Sequence, residues 1–261
     1  MSNWNLKSFD NLHASLAESA YRYRPKKFPY EQLNESKKNR LNSGKSVEFN
    51  FSTDGKDSEG QVTHGGGTDL PNGGKVYLQP DNKKLLEDEE TGYHAYYVTD
   101  TDTINANTHQ TYFAIRGSDG FGFNLSQIKK GNFKEFNYQD WINNDAAFAL
   151  TDAIVPQAQY ATKGMKEKIT ELEEKAAPDA KIDVTAHSLG TMVSVQGLAG
   201  LSESELNHVG KAVLFDGPDT TLSLIKAGYS PEKLKLLDEK IVYYVNPFDP
   251  VSMLNRDRPW D

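Results

Sequence analysis

The chain contains no cysteine, which excludes a disulfide framework, a thiolate metal site and a cysteine nucleophile. It has no apolar run approaching the roughly 20 residues that cross a bilayer as a helix. Its opening, "MSNWNLKSFDNLHASLAESAYRYRP", has no basic stretch leading into an apolar one, so no classical secretory signal is visible. Concentrated positive charge is missing too. The clusters Lys26–Lys27 and Lys37, Lys38, Arg40 read as solvated surface. Against a formal net charge of −8 they offer no stripe to follow phosphates, and a nucleic-acid partner is not expected. There is no internal repeat and no low-complexity tract.

With 261 residues the chain fits one large α/β domain better than two small ones. Phe9, Leu12, Leu16 and Ala20 recur at helical spacing, predicting a helix over residues 8–22 with Ser8 as its cap. The polar stretch from Pro25 to Gly44 shows no clear boundaries. "SVEFNF" (46–51) alternates like a strand, and residues 52–74 are dense in turn formers. "KVYLQ", "YHAYYVT" and "TYFAIR" predict strands starting near Val76, Tyr93 and Thr111. Residues 117–140 are rich in glycine and aromatics and have no period. The chain then reads as mostly helical from Trp141, interrupted at Pro156, with a charged helix from Gln157 to about Lys175. "KIDVTA", "KAVLF" and "KIVYYV" are apolar strands separated by the helical stretches "SLGTMVSVQGLAGL", "TTLSLIKAG" and "PEKLKLLDE". This alternation predicts a mainly parallel central sheet with helices on both faces.

The stretch "VTAHSLGTM" (184–192) joins a strand to a helix at Ser188. At a strand–turn–helix elbow the residues two before and two after the serine come close, and only small side chains fit. Ala186 and Gly190 meet that demand. A serine that merely caps a helix does not need small residues on both sides. Ser188 is therefore the candidate nucleophile, and the amide of Leu189, at the helix start, the first candidate donor to an oxyanion. Two stretches compete for the second donor. "HGGG" (64–67) sits in a Gly/Asp loop with little apolar lead-in, whereas "YFAIRGSDG" (112–120) runs a strong strand into Gly117–Ser118. The latter is preferred, with Ser118 as donor and His64 as a solvated loop residue.

The order of these motifs resembles the class 3 (fungal-type) lipase branch of the α/β-hydrolases. "IRGS" matches a strand-end oxyanion turn, Asp140–Trp141 a following D-W pair, "AHSLG" the G-H-S-L-G elbow, and "VNPFDPVS" the N-x-x-D-P-V-P stretch. The matches fall in order over roughly residues 110–252. Ala186, Ser118 and Ser252 depart from the family's glycine, threonine and proline, and none of these changes removes a catalytic group. The resemblance implies an α/β-hydrolase fold and a serine hydrolase acting on carboxylic esters of lipids, of triacylglycerol lipase or phospholipase A type. It makes Asp249 the acid of the triad, in keeping with catalytic groups gathering beyond the carboxyl ends of parallel strands. Asp216, in "VLFDGP", is the runner-up, its plainer role being a turn residue before Gly217–Pro218.

In this fold the base follows the acid, yet no histidine follows Asp249. The six present are His13, His64, His94, His109, His187 and His208. His187 adjoins the serine, where the elbow points it away. His208 comes in the wrong order and reads as surface. The expectation is that the natural chain continues past residue 261 and brings the base, so that this piece alone hydrolyses esters poorly. A lipase domain at the N-terminus of a longer chain without a signal peptide is similar to the type VII-secreted lipase toxins. That likeness implies secretion without a classical signal, a C-terminal targeting domain, an inhibitor (immunity) protein and transient membrane-surface contact; a cytoplasmic address is the alternative. No metal or organic cofactor is implied. Residues 119–138, with Phe121, Phe123, Phe133, Phe136 and Tyr138, are the candidate lid, or else core packing. The rival readings are an inactive binding protein of the same fold, and a soluble esterase or acyltransferase.

Overall fold

The structure is a computed structural model that describes residues 11–19, 35–50, 75–117 and 153–245. Residues 52–74, the candidate lid at 119–138 and the segment from 246 onward lie outside the described residues, and so do Ser8, Ser118 and Asp249.

The described chain is an α/β fold around one eight-stranded mixed sheet. Its strands are β1 (Val47–Asn50), β2 (Lys75–Leu78), β3 (Glu87–Asp88), β4 (Tyr93–Thr99), β5 (Gln110–Ile115), β6 (Lys181–His187), β7 (Val209–Phe215) and β8 (Ile241–Tyr244). Their spatial order is β1-β2-β4-β5-β6-β7-β8, with β3 paired to β4 off that path. The sheet is not mainly parallel throughout. β1, β2, β4 and β5 pair antiparallel, and only β5 to β8 run parallel. Connection length explains the difference. β4 turns into β5 through a loop of residues 100–109, which permits an antiparallel neighbour. The later strands are separated by helices, which parallel crossovers require.

The helices are α1 (Asn11–Ser19), α2 (Glu35–Asn42), α3 (Gln157–Lys175), α4 (Gly190–Ala199), α5 (Glu203–Leu206), α6 (Thr221–Lys226) and α7 (Pro231–Asp238). The first falls within the predicted 8–22 and the third coincides with its predicted span. Two elements carried little or no pattern. α2 buries none of its residues, and a helix polar all round shows no apolar stripe. α5 is set by a capping box between Ser202 and Glu205, the S-x-x-E signal that marks a helix start.

β6 is buried along nearly its whole length, as a central parallel strand should be. Its side chains alternate between two cores. Ile182, Val184 and Ala186 join the larger one with Met165, Ile169 and Leu172 of α3 and Met192, Val195 and Leu198 of α4. Close approach of α3 to α4 depends on Gly197, where a Cβ would lie 2.8 Å from the Ala161 methyl. On the opposite face α1 places Leu12 and Leu16 against Val98, Tyr112 and Ala114. There His13 Nε2 lies 2.8 Å from Asp183 Oδ2, and the Thr185 hydroxyl donates to the His13 carbonyl at 2.8 Å. Asp183 Oδ1 accepts the Lys211 amide at 3.0 Å, so this buried carboxylate is hydrogen-bonded from two elements.

Candidate active site

Register fixes where the strand ends meet. Ile115, Ala186, Leu214 and Tyr243 stand in one row across β5 to β8. The next residues, Arg116, His187, Phe215 and Tyr244, form the carboxyl edge.

Ser188 is the first residue past that edge. Its φ is +56°, in the left-handed region that costs a side-chain-bearing residue about 1 kcal/mol or more. The surroundings hold it there. The Ser188 amide donates to the Phe215 carbonyl at 2.8 Å, and the Ser188 carbonyl accepts the Thr191 amide at 3.1 Å and the Thr191 hydroxyl at 2.8 Å. α4 begins two residues later, and Ser188 is only 7% exposed. This is a strained strand-to-helix elbow, as the small residues at 186 and 190 predicted.

Gly190 shows why the second small residue is needed. A Cβ there would lie 2.8 Å from the Arg116 carbonyl oxygen and 3.0 Å from the Gly117 nitrogen. The end of β5 therefore rests directly on the start of α4, and Gly117 adjoins the elbow. Ser118, the preferred second donor, is the next residue and lies outside the described residues. Leu189, the other candidate donor, is buried at the N-cap of α4, where first-turn amides have no carbonyl one turn earlier to bond.

Asp216 mirrors Ser188 on the adjacent strand. It follows β7 with φ +49°, and its amide donates to the Tyr244 carbonyl at 2.8 Å. Its carboxylate Oδ2 is 4.0 Å from His187 Nε2, and both side chains are partly exposed. Gly217 completes the arrangement, because a Cβ there would fall 1.6 Å from the Thr191 hydroxyl oxygen. Sequence reasoning missed Thr191 and Gly217. The loop after β7 packs on the first turn of α4 and braces the residue that holds Ser188. The signal in the sequence is the glycine after the strand-end Asp216, which fits an ordinary turn equally well.

β8 runs parallel to β7, so its carboxyl end reaches the same edge. Asp249 comes five residues after Tyr244.

Of the described histidines, three sit away from the elbow. His13 is enclosed with Asp183, near the amino end of β6. His109 Nδ1 is 2.8 Å from Asp179 Oδ1, and His208 Nε2 is 2.9 Å from Glu173 Oε1. Both stand before the amino ends of their strands. His94 is at the carboxyl edge but two strands from Ser188, 3.4 Å from Glu87 Oε1, with its ring edge-on to Tyr96. Only His187 adjoins the serine, and it faces Asp216.

A cavity of about 510 Å³ opens elsewhere, between the loop after β2 and the last turns of α3. Asp81, Lys83, Glu167, Lys168 and Glu171 line it, and several of them pair with one another. It lies toward the amino edge, whereas ligands of such sheets gather beyond the carboxyl ends. Among the described residues no group of three or more His, Asp or Glu is placed to hold a metal ion.

No protein-family model matches the sequence, and no curated protein matches it.

Proposed function

We propose that the chain is a serine hydrolase of the α/β-hydrolase fold that cleaves carboxylic esters of lipids, with Ser188 as nucleophile. The observation that carries this is the left-handed backbone of Ser188 at the carboxyl end of β6, with glycine-dependent contact from the end of β5 on one side and the loop after β7 on the other. Strain of this kind, fixed by its surroundings, collects at functional sites.

In the proposed reaction a histidine from outside the described residues takes the Ser188 proton as the hydroxyl attacks the ester carbonyl. The amides of Leu189 and Ser118 bind the oxyanion, the alcohol leaves with a proton from the imidazolium, and water then releases the acyl group. Asp249 orients the imidazole and stabilises its charged form. The lipid substrate, the lid at 119–138, an inhibitor protein, a C-terminal targeting domain and secretion without a classical signal follow from the lipase resemblance and are proposed on that ground.

A second reading has its own support. None of the described histidines is placed to serve Ser188, which suits a binding protein that keeps the fold without the chemistry. One assay on the complete natural protein separates the readings: turnover of short- and long-chain acyl esters by that protein and by its Ser188→Ala variant, with fluorophosphonate labelling of the serine. A lipid hydrolase turns over long-chain esters and loses roughly 10³-fold or more on substitution. Turnover of water-soluble esters alone points to a soluble esterase or acyltransferase. Equal turnover by the variant removes Ser188 from the mechanism, and no turnover with no labelling leaves the binding protein.

A further inference from the structure

The peptide unit between Ser188 and Leu189 joins two groups that bear on the site. Its carbonyl belongs to Ser188 and its N–H to Leu189. The unit is trans and planar, so the two groups point in opposite directions. Whatever holds the carbonyl therefore aims the amide. One residue holds that carbonyl twice: the Thr191 amide donates to it at 3.1 Å and the Thr191 hydroxyl at 2.8 Å. Both donors lie in the first turn of α4. The Ser188 carbonyl thus faces into the helix, and the Leu189 N–H faces out from its start. That N–H has no acceptor among the described residues, although Leu189 is only 4% exposed. An amide enclosed and unpaired is costly unless something bonds it, and an oxyanion is such a partner.

The Thr191 hydroxyl has nowhere else to turn. Thr191 is wholly buried, so water does not compete for the hydroxyl. The main chain at Gly217 stands against it, so close that a Cβ there would fall 1.6 Å from the hydroxyl oxygen and 2.5 Å from the Thr191 Cβ. The loop after β7 therefore fixes the side chain that fixes the peptide.

We propose that Thr191 is a positioning residue whose hydroxyl clamps the Ser188–Leu189 peptide and keeps the Leu189 amide turned toward an oxyanion. The proposal rests on the reading of Ser188 as nucleophile. With only the Thr191 amide to hold it, the peptide rocks, and the donor is out of place for part of the time. The effect falls on the transition state and spares substrate binding, because the donor meets a full negative charge only as the oxyanion forms.

The test uses the complete natural protein, with active sites counted by fluorophosphonate labelling and folding followed by thermal melting. Thr191→Val keeps the shape and removes the hydroxyl. Its kcat per active site should fall about tenfold to thirtyfold, short of the roughly 10²–10³ for an oxyanion donor lost outright. Its KM should stay within about twofold of the parent. Affinity for an acyl-chain boronic acid, which mimics the tetrahedral anion, should fall in step with kcat. Thr191→Ser restores the hydroxyl and should return kcat to within about threefold of the parent. Thr162→Val removes a hydroxyl that bonds the Gly197 carbonyl toward the far end of α4, and should keep parental kcat. Thr191→Ala takes the place of valine if that variant does not fold. Parental kcat without the hydroxyl, a change in KM instead of kcat, no rescue by serine, or an equal loss in Thr162→Val overturns the clamp. The peptide is also read without turnover, by NMR of leucine-labelled protein. The Leu189 amide should give one signal in the parent and in Thr191→Ser, and split or broaden in Thr191→Val; an unchanged signal overturns the clamp. If the signal behaves as stated while Ser188→Ala leaves turnover intact, the clamp on the peptide stands and the hydrolase reading falls. If turnover depends on Ser188 while Thr191→Val matches the parent, the reverse holds.

Discussion

The two edges of the parallel half of the sheet are held by different means. At the carboxyl edge the chain is bent into the left-handed region at Ser188 and Asp216, and Gly190 is pressed against main chain and Gly217 against the Thr191 side chain, with no room for a methyl group at either. At the amino edge partly exposed polar side chains meet: His109 with Asp179, and His208 with Glu173. Further along α3, Lys166 reaches Glu205 and Lys175 reaches Glu171. One edge is fixed by shape and strain, the other by long side chains in water. Strained backbone persists only when its surroundings over-determine it. Exposed ion pairs tolerate loss because each is worth little.

The largest effect that should set the edges apart is expected from Gly190→Ala. The Cβ would meet main-chain atoms of Arg116 and Gly117, which cannot rotate aside, so the fold should lose about 2 kcal/mol in a urea melt. Ser188 labelling should fall at least a hundredfold. Parental labelling would mean that the end of β5 does not set the elbow.

Next comes a gain. Ser188→Gly removes the side chain from a left-handed position and should stabilise the protein by about 1 kcal/mol net of the greater freedom of glycine when unfolded, while abolishing activity. A lower melting temperature would show that Ser188 is not strained. Asp216→Gly should show a similar gain without removing the nucleophile.

At the other edge, His208→Ala should change stability by no more than about 0.5 kcal/mol, as read from the same melts. A larger loss would erase the contrast.

The last effect is a pH dependence. Burial alone would raise the Glu171 carboxyl, but Lys168 and Lys175 outweigh it and hold the group below its ordinary value near 4.5. A depressed carboxyl stabilises the fold above its ordinary value and loses that contribution as the pH falls through the lowered one. With the side chain a quarter exposed, solvent screening limits this to under about 1 kcal/mol. Glu171→Gln should melt closer to the parent below pH ~4 than at pH 7. An equal gap at both pH values would show that the lysines do not act on this carboxyl.

The same contrast explains what could be read in the sequence. The elbow was legible because its demands are local: a run of buried residues into Ala186, a serine, and glycine two residues on. The strand order was less so. Whether β4 and β5 pair antiparallel depends on the ten-residue loop between them, and a strand's own pattern does not reveal its neighbour's direction. The left-handed turn at Asp216 was invisible because aspartate at a strand end also suits ordinary turns. The roles of Thr191 and Gly217 exist only once two strands lie side by side. α2 has no buried residue, so there was no period to find.

Finally, the seat of α1 has a temporal side. His13 and Asp183 are 170 residues apart in the chain. At translation rates of roughly 5–20 residues per second, α1 leaves the ribosome some ten to thirty seconds before its acceptor on β6 exists. During that interval Leu12 and Leu16 have no sheet to cover, and α1, at nine residues, is shorter than the roughly 12–15 at which isolated helices become even marginal in water. An element made early is thus among the last to settle.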